Sequence, residues 1–476
     1  MHILLCFFLT YNGINRGGYM DHNIITALQK IVGKQNIVTD RASLLAYSYD
    51  ATPQYQALPD GVVAPRNTEE VAQVVRLCNA EHIPIISRGS GTNLCAGTTP
   101  LKGGIVLVFR HLDKIIEIDE ENLTITTQPG VTTQEVSEAA EEVDLFYPPD
   151  PGSMHVSQIG GNIAENSGGL RGLKYGVTRD YVLGLEIVLP NGDIIRTGGK
   201  LTKDVAGYDL TRLYVGSEGT LGIITEATLK LIPQPDTKQT MLVLYESLEA
   251  AAETVSAIIA NRMIPATLEF LDQSTAQVVE DFAQIGLPTH AQAVLLIEQD
   301  GAQDVVKQEM NTIAELCRGN GAIEVSVAQT AAEAERLMTA RRSALTALSR
   351  LKPTTILEDA TVPRSKIASM VLFIQETAKK YDLNICTFGH AGDGNLHPTC
   401  LTDVRDQKEI DRVELAFEEI FEKAVELGGT ITGEHGVGVM KLPYLHLKVG
   451  DAGIEVMRQI KQAIDPNNIM NPGKIF

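Results

Sequence analysis

Apolar positions along the chain change period several times, and each change marks an element. From Asp21, the stretch DHNIITALQKIVG has helical spacing, with Asp21 or Asn23 as its cap. Val71, Val74, Val75 and Cys78 share one helical face that Thr68 can cap, and IPII at 83–86 follows as a buried strand. LGLEIVLPNGDIIRTG reads as a hairpin turning at Asn191-Gly192, and residues 216–232 alternate as a strand stopped by Pro233. Past Pro235 the texture differs. TMLVLYES and AVLLIEQD are strand-like, AAETVSAIIANR lies between them as a helix, and the amphipathic helices nearby suit a sheet covered on one face. RLMTARRSALTAL, residues 336–348, reads as one helix carrying three arginines.

Glycine-rich blocks interrupt this pattern. SRGSGTNL, residues 87–94, follows a strand directly, so its backbone N–H groups can face a phosphate with Arg88 nearby. It is neither a Walker A sequence nor GxGxxG before a helix. YPPDPGS, 147–153, is a rigid turn, and IGGNIAENSGGLRGLKYGVTRD, 159–180, reads as a long irregular segment. Loops of that length are uncommon and usually functional, and backbone amides around a large flat ligand explain this composition better than a plain surface loop.

Two further glycine-bracketed turns concentrate chemistry. FGHAGDGNLH, 388–397, sets two histidines at the ends of a tight turn between extended segments, so both imidazoles can point into one space. GEHGVG, 433–438, adds a carboxylate and a third imidazole. Two histidines and a carboxylate with open positions suit Zn, Fe or Mn, and the spare histidine can serve as a base.

At 476 residues the chain exceeds one ordinary core, and 44% hydrophobic with 21% charged residues is the composition of a globular protein. The formal net charge of -20 argues against binding nucleic acid or anionic lipid through general charge. Cysteines at 6, 78, 95, 317, 386 and 400 form no CxxC pair, zinc spacing or iron-sulfur pattern, and read as buried or free thiols in a reducing compartment. The first nineteen residues hold an apolar run, Ile3 to Leu9, shorter than a membrane span and lacking the basic start and cleavage site of a secretory signal. Residues 1–19 are expected to be a non-native or disordered extension, with Met20 the initiator and Arg16-Gly17-Gly18 translated from a purine-rich ribosome-binding site. No other stretch is hydrophobic enough to span a bilayer.

Taken in order, SRGSGTN, PPDPGS, IGGN with ENSGGLRGLKYG, GSEGTLGIIT, FGHAGDGNLH, GEHGVG and a final NPGK resemble the flavin-dependent 2-hydroxyacid dehydrogenases of the vanillyl-alcohol-oxidase superfamily. Within it, the similarity is to the glycolate oxidase catalytic subunit and D-lactate dehydrogenase group, over residues 20–476. The resemblance implies an α+β fold: a two-lobed FAD-binding domain at 20–234, an α+β cap domain over the substrate at 235–425, and a helical C-terminal segment at 426–476 that returns to the flavin.

Carried onto this chain, the resemblance makes Arg88, Gly89, Ser90, Gly91, Thr92 and Asn93 the pyrophosphate loop. Pro149, Asp150, Ser153, Gly160, Gly161, Asn162, Asn166, Gly168, Gly169, Tyr175 and Gly176 become further FAD contacts, with Ile224 and Asn471 near the ring. The FAD is expected to be non-covalent, because the pyrophosphate loop has no histidine, although Cys95 is close. Arg341 falls where the family grips the substrate carboxylate, Arg342 is its neighbour if the register slips, and Arg364 is a further candidate; Arg336 is expected in solvent. His390, His397 and Glu434 become ligands of one divalent metal, Asn395 a substrate contact, and His435 the base.

The implied reaction oxidises a small 2-hydroxy acid, D-lactate or glycolate, to the 2-oxo acid. His435 takes the hydroxyl proton and a hydride passes from C2 to flavin N5. A D-2-hydroxyglutarate-type dehydrogenase is the alternative in the same class, although Leu357 stands near where diacid-specific relatives place a lysine. A metallohydrolase and a non-catalytic flavoprotein are the alternatives outside it. With no iron-sulfur pattern and no dinucleotide fingerprint, electrons are expected to leave for an iron-sulfur subunit, an electron-transferring flavoprotein or the quinone pool. The expected setting is cytoplasmic, with a partner bridging to the inner face of the membrane, and a homodimer stays open as its own assembly.

Overall fold

Asp21 opens the first helix, His22–Val32, its carboxylate accepting from the N–H of Asn23. The structure is a computed structural model that describes residues 20–476, so the expectation for residues 1–19 lies outside the described residues. The helix Thr68–Ala80 is capped by Asn67 rather than Thr68: the Asn67 side chain accepts from the N–H of Glu70, while Thr68 donates its hydroxyl to Glu186. Val71, Val74, Val75 and Cys78 are fully buried, as their spacing predicts, against Ile85, Ile105 and Leu107. Those residues belong to a four-stranded sheet in the order Ile37–Val38, Gly61–Val63, Ile105–Val108, Ile85–Arg88. The last of these begins two residues later than the apolar run suggests, because Ile83 spends its N–H on the carbonyl of Cys78 and Pro84 has none to give.

A five-stranded antiparallel sheet forms the second lobe, in the order Ile115–Asp119, Thr124–Thr127, Ile223–Lys230, Val182–Val188, Ile194–Gly198. The expected hairpin is present, with Gly192 at φ 79° closing its turn onto the carbonyl of Leu189. The glycine-rich segment after Gln158 is not irregular throughout: Ile159–Glu165 and Gly172–Tyr175 are short helices.

Beyond Pro235 lies an eight-stranded sheet, running Ala322–Val327, Thr237–Tyr245, Ala293–Gly301, Thr267–Asp272, Ile385–His390, Asn395–Thr402, Thr354–Leu357, with Ala360–Thr361 also paired to Asn395–Thr402. It is covered on both faces, not one. Met241, Val243 and Tyr245 pack with the helices Leu248–Ala260, Gln303–Gly319 and Ile367–Tyr381, whereas Leu242 and Leu244 pack with Gln273–Ala283 and Ala344–Leu348. The unbroken run AVLLI follows from this, since a strand buried on both faces has no polar side to alternate. The arginine-bearing helix is two helices, Ala331–Arg342 and Ala344–Leu348, parted at Ser343.

The chain then returns to the first sheet. Met470 bridges Ile85 in parallel, and the buried Lys461 donates to the carbonyls of Thr220 and Met470 while pairing with Asp465. Among the described residues all five cysteines are free and buried, and no helix is long and apolar enough to cross a membrane.

Candidate functional site

Two joined chambers are lined by residues from the first two sheets' regions and from that of the eight-stranded sheet. The smaller, of about 60 Å³, is lined by Arg88, Gly89, Gly160, Gly161, Ile224 and Asn471, with Glu165 and Glu218 on its wall. The larger, of about 380 Å³, takes in Ser90, Gly91, Thr92, Asn93, Ser153 and Asn162, and reaches Arg341, His390, His397, Glu434 and His435. Gly89, Thr98, Gly161 and Glu165 border both. The joint space falls within the roughly 300–1,000 Å³ of a ligand site, and its two connected parts suit an elongated ligand.

The lining fits FAD in two respects. Gly161 has no atom within 4 Å of the position of a Cβ, so a side chain there would project into open space beside the ligand. Asn471 Oδ1 and Glu165 Oε2 are buried acceptors without a protein partner, although Asn471 Nδ2 already donates to the carbonyls of Gly97 and Glu218.

Eight residues expected to touch ligand do not line either chamber: Pro149, Asp150, Asn166, Gly168, Gly169, Tyr175, Gly176 and Asn395. The structure gives most of them other work. Tyr175 donates its hydroxyl to Asp300 of the cap, and Asp150 pairs with Arg171 and Arg342. Asn166 ends a helix in the left-handed conformation and accepts from the N–H of Arg179, while Gly176, at φ 84°, packs on Asp180. Gly169, at φ 149°, leaves no room for a Cβ beside the Asp150 carbonyl. Asn395 accepts from the Thr361 hydroxyl and abuts Gly433, so it shapes the turn that carries Glu434. Gly168 matters for the same turn, since a Cβ there would lie 2.5 Å from Glu434 Oε2.

At the far end of the larger chamber the two histidine-bearing turns meet. His390 ends the strand Ile385–His390 and His397 lies in the facing strand Asn395–Thr402. Glu434 Oε1 stands 3.2 Å from His390 Nε2 and 3.3 Å from His397 Nε2. One donor atom from each lies within 4.8 Å of the others, a spacing that fits two imidazoles and a carboxylate around one divalent ion.

Behind them sit two acids and a lysine that sequence reasoning missed. Glu269 Oε1 is 2.7 Å from His390 Nδ1, which directs Nε2 of that ring at Glu434. Asp359 Oδ2 accepts from the Thr432 hydroxyl and from the N–H groups of Gly433, Glu434 and His435. Asp359, His397 and His435 also fall within ligand distance of one another. Because Asp359 already spends Oδ2 on four donors, we regard it as the anchor of this turn and not as a ligand. Lys441, fully buried, lies 3.6 Å from Glu358 and 3.8 Å from Asp359.

The electrostatics favour a cation. Burial would lift Glu434, yet His390 and His397 hold it well below the usual carboxylate range; burial would lower His390, yet Glu269 and Glu434 hold it well above the usual imidazole range. His390 is thus held in its charged form by the carboxylates on either side of it. His435 is opposite. Burial pushes it down to about 4 against the pull of Asp359, leaving a neutral imidazole able to accept a proton.

Of the arginines, Arg341 is 4% exposed, its Nε 2.6 Å from Glu269 Oε2 and its guanidinium 4.8 Å above the Phe388 ring. Neither its Nε nor its Nη2 makes an aligned hydrogen bond with the protein, so the Glu269 contact is one of charge. Arg342 lines the same chamber but is engaged with Asp150 and Glu335.

Residues 59–198 match the family described as FAD binding domain, and residues 234–475 match FAD linked oxidases, C-terminal domain. Glycolate oxidase subunit GlcD of Bacillus subtilis (strain 168) is 65% identical over 94% of this chain and 96% of its own length. A D-lactate dehydrogenase of Anaerostipes hadrus is 36% identical over 95% of this chain and 97% of its own. The solved structure of p-cresol methylhydroxylase superposes with a TM-score of 0.79 over 98% of each chain at 19% identity, a likeness of fold. Two matched domains, relatives covered almost end to end and a chamber that fits the cofactor agree: the chain belongs to the FAD-linked oxidases of the vanillyl-alcohol-oxidase superfamily and is an FAD-dependent oxidoreductase.

Proposed function

We propose that this oxidoreductase converts a small 2-hydroxy acid, D-lactate or glycolate, to the 2-oxo acid, with the aid of a divalent metal held by His390, His397 and Glu434. One observation carries the reading: the buried Arg341 lines the same chamber as the His390–His397–Glu434 cluster and the neutral His435. The names of the relatives, a glycolate oxidase subunit and a D-lactate dehydrogenase, support it.

Bound FAD supplies a two-electron acceptor, and the metal supplies Lewis acidity that lowers the pKa of a hydroxyl. The protein does the rest. Arg341, on the chamber wall, holds the carboxylate by its guanidinium charge. His435, whose Nε2 is 3.8 Å from Glu434 Oε1 and so outside hydrogen-bond range, takes the hydroxyl proton there. Leu345, Leu357 and Phe388 give the chamber an apolar wall that suits a short side chain better than a second carboxylate. A hydrolase would use the imidazoles but leave the flavin chamber without purpose.

Electrons then leave for a protein partner, an iron-sulfur subunit or an electron-transferring flavoprotein, or for quinone; the word subunit in the relative's name supports an assembly. The test is anaerobic addition of D-lactate, glycolate and D-2-hydroxyglutarate to the purified flavoprotein, followed by turnover with a dye. Bleaching by one of the first two, with dye but not NAD reduced, is expected. No bleaching by any 2-hydroxy acid overturns the reading, and hydrogen peroxide formed as fast as dye is reduced removes the partner.

A further inference from the structure

The strand Thr267–Asp272 runs antiparallel to Ile385–His390, with Phe270 opposite Gly389. Extending that register by one sets Glu269 across from His390. Its side chain is wholly enclosed, and an enclosed carboxylate persists only where partners neutralise it. Glu269 has two, one for each oxygen: Oε1 lies 2.7 Å from His390 Nδ1 and Oε2 lies 2.6 Å from Arg341 Nε. His390 comes from the sheet, whereas Arg341 comes from the last turn of the helix Ala331–Arg342.

We propose that Glu269 is a positioning residue that fixes the spacing between the arginine and the histidine, and that this spacing selects acids whose hydroxyl sits on the carbon next to the carboxylate. The inference rests on the proposed function and names the device behind its substrate class. The Glu269 carboxylate pairs by charge with the Nε side of the guanidinium, without an aligned hydrogen bond, while the Phe388 ring covers one face, so Arg341 is held on two sides. By taking His390 Nδ1, the same carboxylate directs Nε2 toward Glu434 Oε1. Both ends of the substrate are thereby referenced to one side chain. A 2-hydroxy acid has a short, fixed span between its carboxylate and hydroxyl, whereas a 3-hydroxy acid adds a carbon and exceeds it.

The test uses FAD-loaded protein stripped of metal with chelator. Propionate, a carboxylate without a hydroxyl, is titrated by its perturbation of flavin absorbance, and Co²⁺ is titrated by its visible bands. E269Q, which removes the charge that holds Arg341, is expected to weaken propionate at least tenfold, as much as R341M does. E269Q/R341M should be no weaker than either single variant by more than twofold, the non-additivity of one shared device. E269Q is also expected to weaken Co²⁺ at least tenfold and, reloaded with metal, to reduce the preference for D-2- over D-3-hydroxybutyrate by the same factor.

A carboxylate that merely supports His390 would move Co²⁺ alone; propionate affinity within twofold of wild type, or additive losses, overturns the proposal. Should E269Q fail to hold flavin, E269D carries the test, since it keeps the charge but withdraws it by one methylene: at least threefold weaker propionate and Co²⁺ are expected, and unchanged values overturn the proposal. Neither titration needs turnover. Wild-type protein that oxidises no 2-hydroxy acid therefore defeats the proposed function, whereas the titrations decide the Glu269 link separately.

Discussion

Asp359 Oδ2 lies 3.0 Å from the backbone nitrogen of His435 and 3.9 Å from its ring Nδ1, so one carboxylate oxygen holds the main chain of the candidate base and faces its imidazole. Asp359→Asn should therefore disturb catalysis without touching the flavin chamber. The expected outcome is a loss of about 10–100-fold in kcat, with a fall in unfolding free energy of about 3 kcal/mol from the broken buried network. Turnover within twofold of wild type would remove Asp359 from the machinery. Steady-state kinetics and urea unfolding of the FAD-loaded variant decide it.

His435→Ala should retain flavin and metal while turnover falls by about 10²–10⁴, the usual worth of a general base. The variant also makes a pH prediction. In chelated protein, burial lowers the His435 pKa from 6.5 to about 4, so between those values the unfolded chain binds a proton that the folded chain does not. The stability contributed is complete above 6.5 and lost as pH falls to about 4, at up to about 1.4 kcal/mol per pH unit. Relative to wild type, His435→Ala should flatten the stability profile in that window. Parallel profiles would show that the ring is already protonated when folded.

Glu434→Ala should strip the metal and activity together and leave the flavin spectrum unchanged. Glu434 is the carboxylate that both Nε2 atoms face, at 3.2 and 3.3 Å. Metal analysis after gel filtration checks it, and stoichiometric metal in the variant would exclude Glu434 from the ligands.

Gly168→Ala is a steric probe of the same cluster. The added methyl would lie 2.5 Å from Glu434 Oε2, and Glu434 is tethered by two imidazoles and by Asp359, so the carboxylate must shift. Metal affinity should fall roughly tenfold, with FAD retained. An unaffected Co²⁺ titration would show that the turn yields freely.

The residues that face the chamber were legible because their sequence context is extreme. A histidine at each end of AGDGNL and a Glu-His pair between glycines have few structural uses, and the strands around them follow from their apolar runs. Glu269 and Asp359 were not legible. Glu269 is a lone acid within a strand and Asp359 follows Glu358 between two strands, and what makes each matter is a partner far along the chain, 121 residues away for Glu269 and His390. The available clue was an acid within TLEFLD, where burial would demand compensation. Tyr175 shows the opposite case: it sits in the same glycine-rich block as Gly160 and Gly161, which line the smaller chamber, but its hydroxyl is taken by Asp300, 125 residues distant. The run AVLLI carried its own correction, since an unbroken apolar strand implies cover on both faces.

The return of residues 469–475 to the first sheet bears on how the protein is made. Asn471, which borders the smaller chamber, reaches back 374 residues to the carbonyl of Gly97, and Lys474 reaches 375 residues to Thr99. Until that distant segment is made, the edge of the strand Ile85–Arg88 that it bridges stays unpaired. The first sheet is thus completed only by contacts of very long sequence separation, the kind that are slow to form.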